Sequence, residues 1–147
     1  MIAVNRVHQL PQGIDVLARE ARAEGYRFVD RLIDEFHCAQ NTFSLPGEAL
    51  FEARSDGALV GLGGVNVDPY GASGATGRIR RLYVRRDQRG LGVGRLLMNA
   101  IELHARATFA ELRLHTDNPD AASFYESLGY AAVADVPRVT HLKRLRG

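Results

Sequence analysis

The stretch Leu82-Tyr83-Val84-Arg85-Arg86-Asp87-Gln88-Arg89-Gly90-Leu91-Gly92-Val93-Gly94-Arg95-Leu96-Leu97 contains, in order, a strand end, a short basic turn, three glycines at alternate positions and the start of a helix. Glycines there let the backbone turn tightly and let a bulky anion approach the main chain, because no Cβ stands in the way. Unpaired N–H groups of the first helical turn point at such an anion, and the partial positive charge of the helix N-terminus favours it. A phosphate site is the consequence. The spacing excludes two other phosphate loops: a P-loop needs Lys then Ser/Thr after its last glycine, where Arg95-Leu96 stands, and the dinucleotide fingerprint needs G-x-G-x-x-G, where Gly90, Gly92 and Gly94 give G-x-G-x-G. Charge points the same way. Between Arg78 and Arg95 stand seven arginines (78, 80, 81, 85, 86, 89 and 95) against one acid, Asp87, in a chain whose net charge is only +2. The segment is therefore +6 and the rest of the chain is acidic. A local basic cluster of this kind suits one compact polyanion better than a nucleic-acid duplex, whose affinity needs a broad basic surface.

Val93, Leu96, Leu97, Ala100, Ile101 and His104 keep helical spacing for three turns after the glycines. Upstream, Ile79–Val84 reads as a strand buried on both faces, and Asp68–Gly77, with Pro69 and three glycines, as a loop. Ala49–Arg54 and Ala58–Val67 are β-prone and joined by Ser55-Asp56-Gly57, a hairpin signature. Ile2–Val7 predicts a first strand. Ile14, Leu17, Ala18 and Ala21 predict a helix over Ile14–Glu24 with Gly25 at its C-terminal cap, and Val29, Leu32, Ile33 and Phe36 predict a second that ends before Pro46. Downstream, Leu112 and Leu114 alternate with Glu111, Arg113 and His115 in a strand. Asn118-Pro119 then starts a short helix that ends at Gly129, and Val139–Leu145 closes the chain as a strand. The order β-α-α-β-β-β-α-β-α-β predicts a mixed α/β fold with one helical crossover.

With 147 residues, 46% of them hydrophobic, and no repeat or linker, the chain reads as one domain spanning 1–147. No apolar run approaches the ~18–20 residues of a membrane span, and Met1–Gly13 lacks the charged-then-apolar order of a signal peptide. A cytoplasmic protein without a membrane partner is expected. Cys38 has no second cysteine to pair with, which excludes an internal disulfide and a cysteine metal cluster, and it is expected to be buried as a small apolar side chain. Aromatic residues, 7% of the chain, fall mostly at apolar-periodic positions, which argues against a nucleic-acid partner.

The glycine segment resembles the acyl-CoA-binding motif of the GNAT N-acetyltransferase superfamily, R/Q-x-x-G-x-G/A, through Arg89, Gly92 and Gly94. A second match follows after a helix and a strand: Asn118-Pro119-Asp120-Ala121-Ala122-Ser123-Phe124-Tyr125-Glu126-Ser127-Leu128-Gly129-Tyr130 resembles the N-x(2)-A-x(3)-Y-E-x-x-G-F/Y segment of that family. Two motifs in this order are far more specific than either alone. The likeness runs from about Ala49 to the C-terminus. It implies a mixed, mostly antiparallel sheet of six to seven strands flanked by about four helices, acetyl-CoA as co-substrate without a metal, and a small-molecule or peptide amine as acceptor. A homodimer is compatible with it.

Carried over by position, the resemblance implies that main-chain N–H groups from Arg89 through Gly90, Leu91, Gly92, Val93, Gly94 and Arg95 cradle the CoA pyrophosphate, with Arg85, Arg86 or Arg89 on the adenosine phosphates. The backbone of Leu82, Tyr83 and Val84 would bind the pantetheine arm as an added strand does. Asn118 matches a residue on the CoA arm, although capping a helix explains it equally well. Tyr125 matches the acid that protonates the departing thiolate, a role open to a phenol of pKa near 10. The implied chemistry is direct attack of an amine on the acetyl carbonyl, with a strand-end N–H near Val84 stabilising the oxyanion.

The sequence departs from the family where a general base is often found: Gly77-Arg78-Ile79 and Arg113 occupy positions where many members carry glutamate. His115, His141, Glu52 and Asp68 have suitable chemistry without a matching position, and a water chain serves as well. Arg78 and Arg113 suggest an acceptor that carries a carboxylate. The acceptor pocket is expected from the first two helices and the Asp135–Val139 loop. A non-catalytic acyl-CoA-binding regulatory module would keep the glycine segment but would not need Tyr125.

Overall fold

The computed structural model describes residues 1–71 and 73–145. Its elements are β1 (Ile2–Val7), α1 (Ile14–Ala23), α2 (Phe28–His37), β2 (Ala49–Ser55), β3 (Ala58–Val67), β4 (Thr76–Val84), α3 (Val93–Ala105), β5 (Glu111–Leu114), α4 (Pro119–Ser127), β6 (Ala131–Ala132) and β7 (His141–Arg144). The seven strands form one sheet in the order β1-β2-β3-β4-β5-β7-β6. Every neighbouring pair is antiparallel except β4 and β5, which are parallel, and α3 makes that crossover. This is the mixed, mostly antiparallel sheet with four helices that the motifs imply.

The two faces of the sheet follow the period-2 alternation of its central strands. In β2, Ala49, Phe51 and Ala53 join Val93, Leu97, Ile101 and Phe109 on the α3 side. Leu50 points the other way, with Leu59, Leu62 and Tyr83, into the layer formed by Ile14, Leu17, Ala21, Val29 and Leu32 of α1 and α2. The Asp56-Gly57 turn has φ of 49° and 87°, the double positive φ that a two-residue hairpin prefers. Gly61 lets α3 approach β3 closely, since a Cβ there would lie 3.1 Å from Leu97 Cδ1 and 3.2 Å from Val93 Cγ1.

Several expectations are corrected. Leu96 is 42% exposed, and Met98 is fully buried in its stead, because the helix face turns toward the sheet through Val93, Leu97, Met98 and Ile101. Cys38 is exposed: it follows the last turn of α2, beyond the point where that helix packs on β4. β4 begins at Thr76 rather than Ile79, since Phe109 and Leu112 pack over Gly77; of the expected loop, Ala72 lies outside the described residues. The closing strand is limited to His141–Arg144, and the two-residue β6 pairs with it through Ala131 and Ala132, too short to leave a periodic signal.

Candidate active site

Two features of β4 open the sheet. Its parallel pairing with β5 covers only Thr76, Gly77 and Arg78. Its pairing with β3 shifts register between Leu62 and Gly64, opposite Arg80–Tyr83, and Arg81 takes φ of 63° there. This is a β-bulge, which bends the strand and increases its twist. Past Arg78, then, β4 leaves β5 and presents an unpaired edge. Arg85 N–H donates to Val60 O at 2.8 Å, so the alternation of an antiparallel ladder turns the N–H and C=O of Val84 toward that edge. Leu82, Tyr83 and Val84 therefore stand where an extended ligand would add as a strand.

A 3-10 turn, Arg86–Gln88, leads from β4 into the glycines. Gly90 and Gly92 have φ of 79° and 88°, and Gly92 is the N-cap of α3. A Cβ at either position would meet nothing within 4 Å. No side chain caps α3, its first turn holds no acid, and among the described residues the N–H groups of residues 90–95 make no hydrogen bond. Gly94 serves a different purpose, letting α4 approach closely: a Cβ there would lie 3.1 Å from Phe124 Cζ. The loop thus offers an exposed row of donors at a helix N-terminus, the arrangement that binds phosphate groups.

The arginines around the loop do not all face a ligand. Arg85 pairs with Asp87 at 2.6 Å. Arg89 donates from Nε to Val84 O (2.9 Å) and from Nη1 and Nη2 to Glu24 (2.9 and 2.7 Å). Glu20 accepts the Arg86 N–H at 2.8 Å and the Tyr83 hydroxyl at 2.7 Å, and the same hydroxyl also lies against Glu24. Two α1 carboxylates thereby latch the helix onto the end of β4 and the basic turn. Hydrogen bonding from Arg89 holds the Glu24 carboxyl below its usual range and raises Arg89 in return, while burial and then the two carboxylates push the Tyr83 phenol upward. The Arg86 and Arg95 side chains remain on the surface. Sequence reasoning missed Glu20 and Glu24, whose i, i+4 spacing marks a helix face but does not reveal a partner 65 residues away.

Asn118 is the N-cap of α4, its Oδ1 accepting from the N–H of Asp120 (2.8 Å) and Ala121 (3.3 Å). Its Nδ2 donates to the Tyr26 hydroxyl at 2.9 Å. Capping therefore accounts for one end of the side chain, and a contact with the α1–α2 segment for the other. Tyr125 is 8% exposed, packed edge-on to Phe124 and Tyr130. Its hydroxyl makes no hydrogen bond among the described residues and is not one of the fully enclosed polar atoms. Burial raises its pKa, so the phenol stays protonated across the neutral range.

The residues with chemistry suited to a base are all engaged. Glu52 pairs with Arg54 (2.9 Å) and Asp68 with Arg78 (3.0 Å). His141 meets Glu126 (2.8 Å) and Thr140 (3.0 Å), and the half-exposed His115 lies 3.2 Å from Asp117. Arg78 is buried against Asp68, with Arg78 Nη2 and Asp68 Oδ2 left without a partner among the described residues, and Arg113 pairs with Glu111 at 2.6 Å, so neither is the freely exposed cation the sequence suggests. A cleft of about 470 Å³ opens beside the β4 bulge, walled by the end of α2, the α2–β2 segment, Asn66, Tyr70 and Arg80. Of the expected acceptor walls, α2 contributes directly, whereas α1 and the 135–139 loop supply no lining residue among the described residues; Arg138 of that loop stacks on Tyr70, which does line the cleft, at 4.6 Å. Among the described residues no His, Cys, Asp and Glu group could hold a metal ion, and no helix is long and apolar enough to cross a membrane.

Comparison with known proteins agrees with this geometry. Residues 14–130 match the model of the acetyltransferase (GNAT) family. An IAA acetyltransferase of Azospirillum brasilense is 29% identical over 113 residues, covering 70% of this chain and 72% of that protein. Among solved structures, an Exiguobacterium sp. 255-15 protein assigned to the acetyltransferases superposes with a TM-score of 0.87 at 27% identity, covering 98% of this chain and 93% of the other. An acetyltransferase from Streptococcus agalactiae 2603, at 17% identity and a TM-score of 0.75 with 97% and 98% covered, shares the fold.

Proposed function

Because the chain belongs to the GNAT acetyltransferase family, we propose that it is an N-acetyltransferase that moves an acetyl group from acetyl-CoA to a primary amine of a small molecule or peptide by direct transfer. The observation that carries this reading is the row of unbonded N–H groups over residues 90–95, open above Gly90 and Gly92 at the start of α3. These groups would hold the pyrophosphate, with the exposed Arg95 and the exposed Arg86, which shares Glu24 at 3.8 Å, adding charge. The free edge of β4 at Leu82, Tyr83 and Val84 would take the amides of the pantetheine arm. The co-substrate supplies an activated acyl carbon and a thiolate leaving group.

The amine nitrogen forms the new C–N bond as the C–S bond breaks, the electron pair stays on sulfur, and the amine gives up a proton to water. Val84 N–H is turned toward the edge where the acyl oxygen would lie and can donate to it as its charge develops. Tyr125 is the general acid. Burial keeps its phenol protonated, as a donor must be, and also makes it a weak acid, so it acts most where the sulfur carries most charge. With Glu52, Asp68 and His141 tied to neighbours, water is the proton acceptor favoured here.

Titration calorimetry with acetyl-CoA, coupled to free-thiol release over amines, amino acids, polyamines and peptides, tests the reading. Binding that Gly92→Glu abolishes, together with thiol release on addition of an amine, is expected. Undiminished binding by Gly92→Glu would remove the phosphate cradle. Binding without release on any amine would favour a non-catalytic acyl-CoA-binding module.

A further inference from the structure

Arg80 stands apart from the other arginines of its strand. Arg78 is held by Asp68 and by the Arg138 carbonyl (3.0 Å), and Arg81 by Glu35 at 2.8 Å, each keeping one buried nitrogen, Nη2 and Nε respectively, without a partner among the described residues. Arg80, half-buried on the wall of the 470 Å³ cleft, has no hydrogen bond or ion pair among the described residues. The acids nearby do not neutralise it. Glu48 spends both oxygens on the N–H groups of Leu45 and Val67 and on the Asn66 amide, and Glu35 is already paired with Arg81. Burial first, and then the Arg81 and Arg78 charges, lower the Arg80 pKa from its usual value, so the site is one where an added anion relieves both desolvation and like-charge repulsion. A guanidinium with an unused planar fork matches a carboxylate in two parallel hydrogen bonds.

The position carries the argument to the reaction. Arg80 directly precedes the bulge residue Arg81, where β4 has already left β5. Leu82, at the start of the segment assigned to the pantetheine arm, lies two residues on, across the bulge. A carboxylate seated on Arg80 would hold an amine one or two bonds away inside the cleft, beside the bulge that leads into that segment. The amides of Asn41 and Asn66, which exchange hydrogen bonds at 2.9 and 3.0 Å, line the same cleft and make it polar.

We propose that Arg80 is a specificity-determining residue that reads the carboxylate of the acceptor, and that the acceptor is accordingly an amino acid or another small amine bearing a carboxylate near its amino group. The assignment rests on the transferase reading above for its chemistry: the same C–N bond forms and the same C–S bond breaks. It rests on the cleft alone for its binding.

The experiment pairs L-amino acids with their carboxamides and their decarboxylated amines as acceptors, read by thiol release with acetyl-CoA and, separately, by calorimetric binding without acetyl-CoA. In the wild type an amino acid should exceed its carboxamide at least tenfold in kcat/KM. Arg80→Gln should abolish that preference through KM with kcat largely kept, and Arg80→Lys should retain part of it. Equal use of acids and carboxamides by the wild type, or a preference that survives Arg80→Gln, overturns the proposal. If no amine releases thiol, the transferase reading fails, and the binding arm still decides: Arg80-dependent binding of an amino acid over its carboxamide upholds the site, and its absence removes it.

Discussion

Replacing Gly92 by alanine separates ligand binding from backbone strain. Gly92 has φ of 88°, and a Cβ there meets nothing within 4 Å, so the substitution creates no clash in the free protein. What it costs is the left-handed conformation, about 1–2 kcal/mol for a residue with a Cβ. An unfolding entropy of roughly 2.1 cal/mol/K per residue converts that penalty, for 147 residues, into a Tm lowered by about 3–6 °C. Gly57, at the β2–β3 hairpin, has φ of 87° and equally empty surroundings, so Gly57→Ala should lose the same few degrees. The two variants part company on acetyl-CoA. At Gly92 the new methyl occupies the face the phosphates approach, and displacing one or two hydrogen bonds to charged oxygens, each about 1.5–3 kcal/mol, raises Kd roughly a hundredfold. Gly57→Ala should bind as the wild type does. Thermal denaturation and calorimetry on the three proteins decide the matter: if Gly92→Ala retains wild-type affinity while losing the expected stability, the anion does not lie on residues 90–95 and the reasoning fails.

Tyr125→Phe removes only the hydroxyl and should lower kcat by about a hundredfold or more while leaving the acetyl-CoA Kd within twofold; a wild-type steady-state rate would strip Tyr125 of its role. Glu24→Gln should weaken the latch of α1 on the basic turn. The Glu24 pKa is depressed in the folded protein, so its stabilisation is present above the ordinary carboxylate pKa and disappears as pH falls through the lower folded value. The Tm gap between wild type and variant should therefore be full at pH 7 and close in acid, and a gap that persists to pH 2 would contradict the ion pair. Phe109 is fully enclosed between α3 and β4–β5, so Phe109→Ala should cost about 3–5 kcal/mol in chemical denaturation, and a loss below 1 kcal/mol would mean the seam repacks.

The fold was readable because its strongest signals are local. Gly90, Gly92 and Gly94 before a periodic apolar helix place the loop and α3, Asp56-Gly57 places the hairpin, and Asn118-Pro119 places α4. Features made by distant pairing were not. The bulge at Arg81 arises from the register of β4 on β3, the Arg89–Glu24 latch joins residues 65 apart, and β6 is too short to carry a period. Arg78 looked available because composition shows charge without partners; Asp68, ten residues earlier across the turn, takes that charge up. Arg80 is the converse case, indistinguishable in sequence from its neighbours and set apart only by what it fails to touch.

The three-residue parallel seam between β4 and β5 divides the backbone into two unequal leaves. β1 through β4 form a continuous antiparallel meander in which each strand is stitched along most of its length to its predecessor, whereas among the described residues β5 is laddered to that meander only over Thr76, Gly77 and Arg78, with the Ala110 N–H adding one bond to Ala75 O just before them. A linear molecule lying along the open side of β4 would be a missing rung between the leaves as well as a bound reactant.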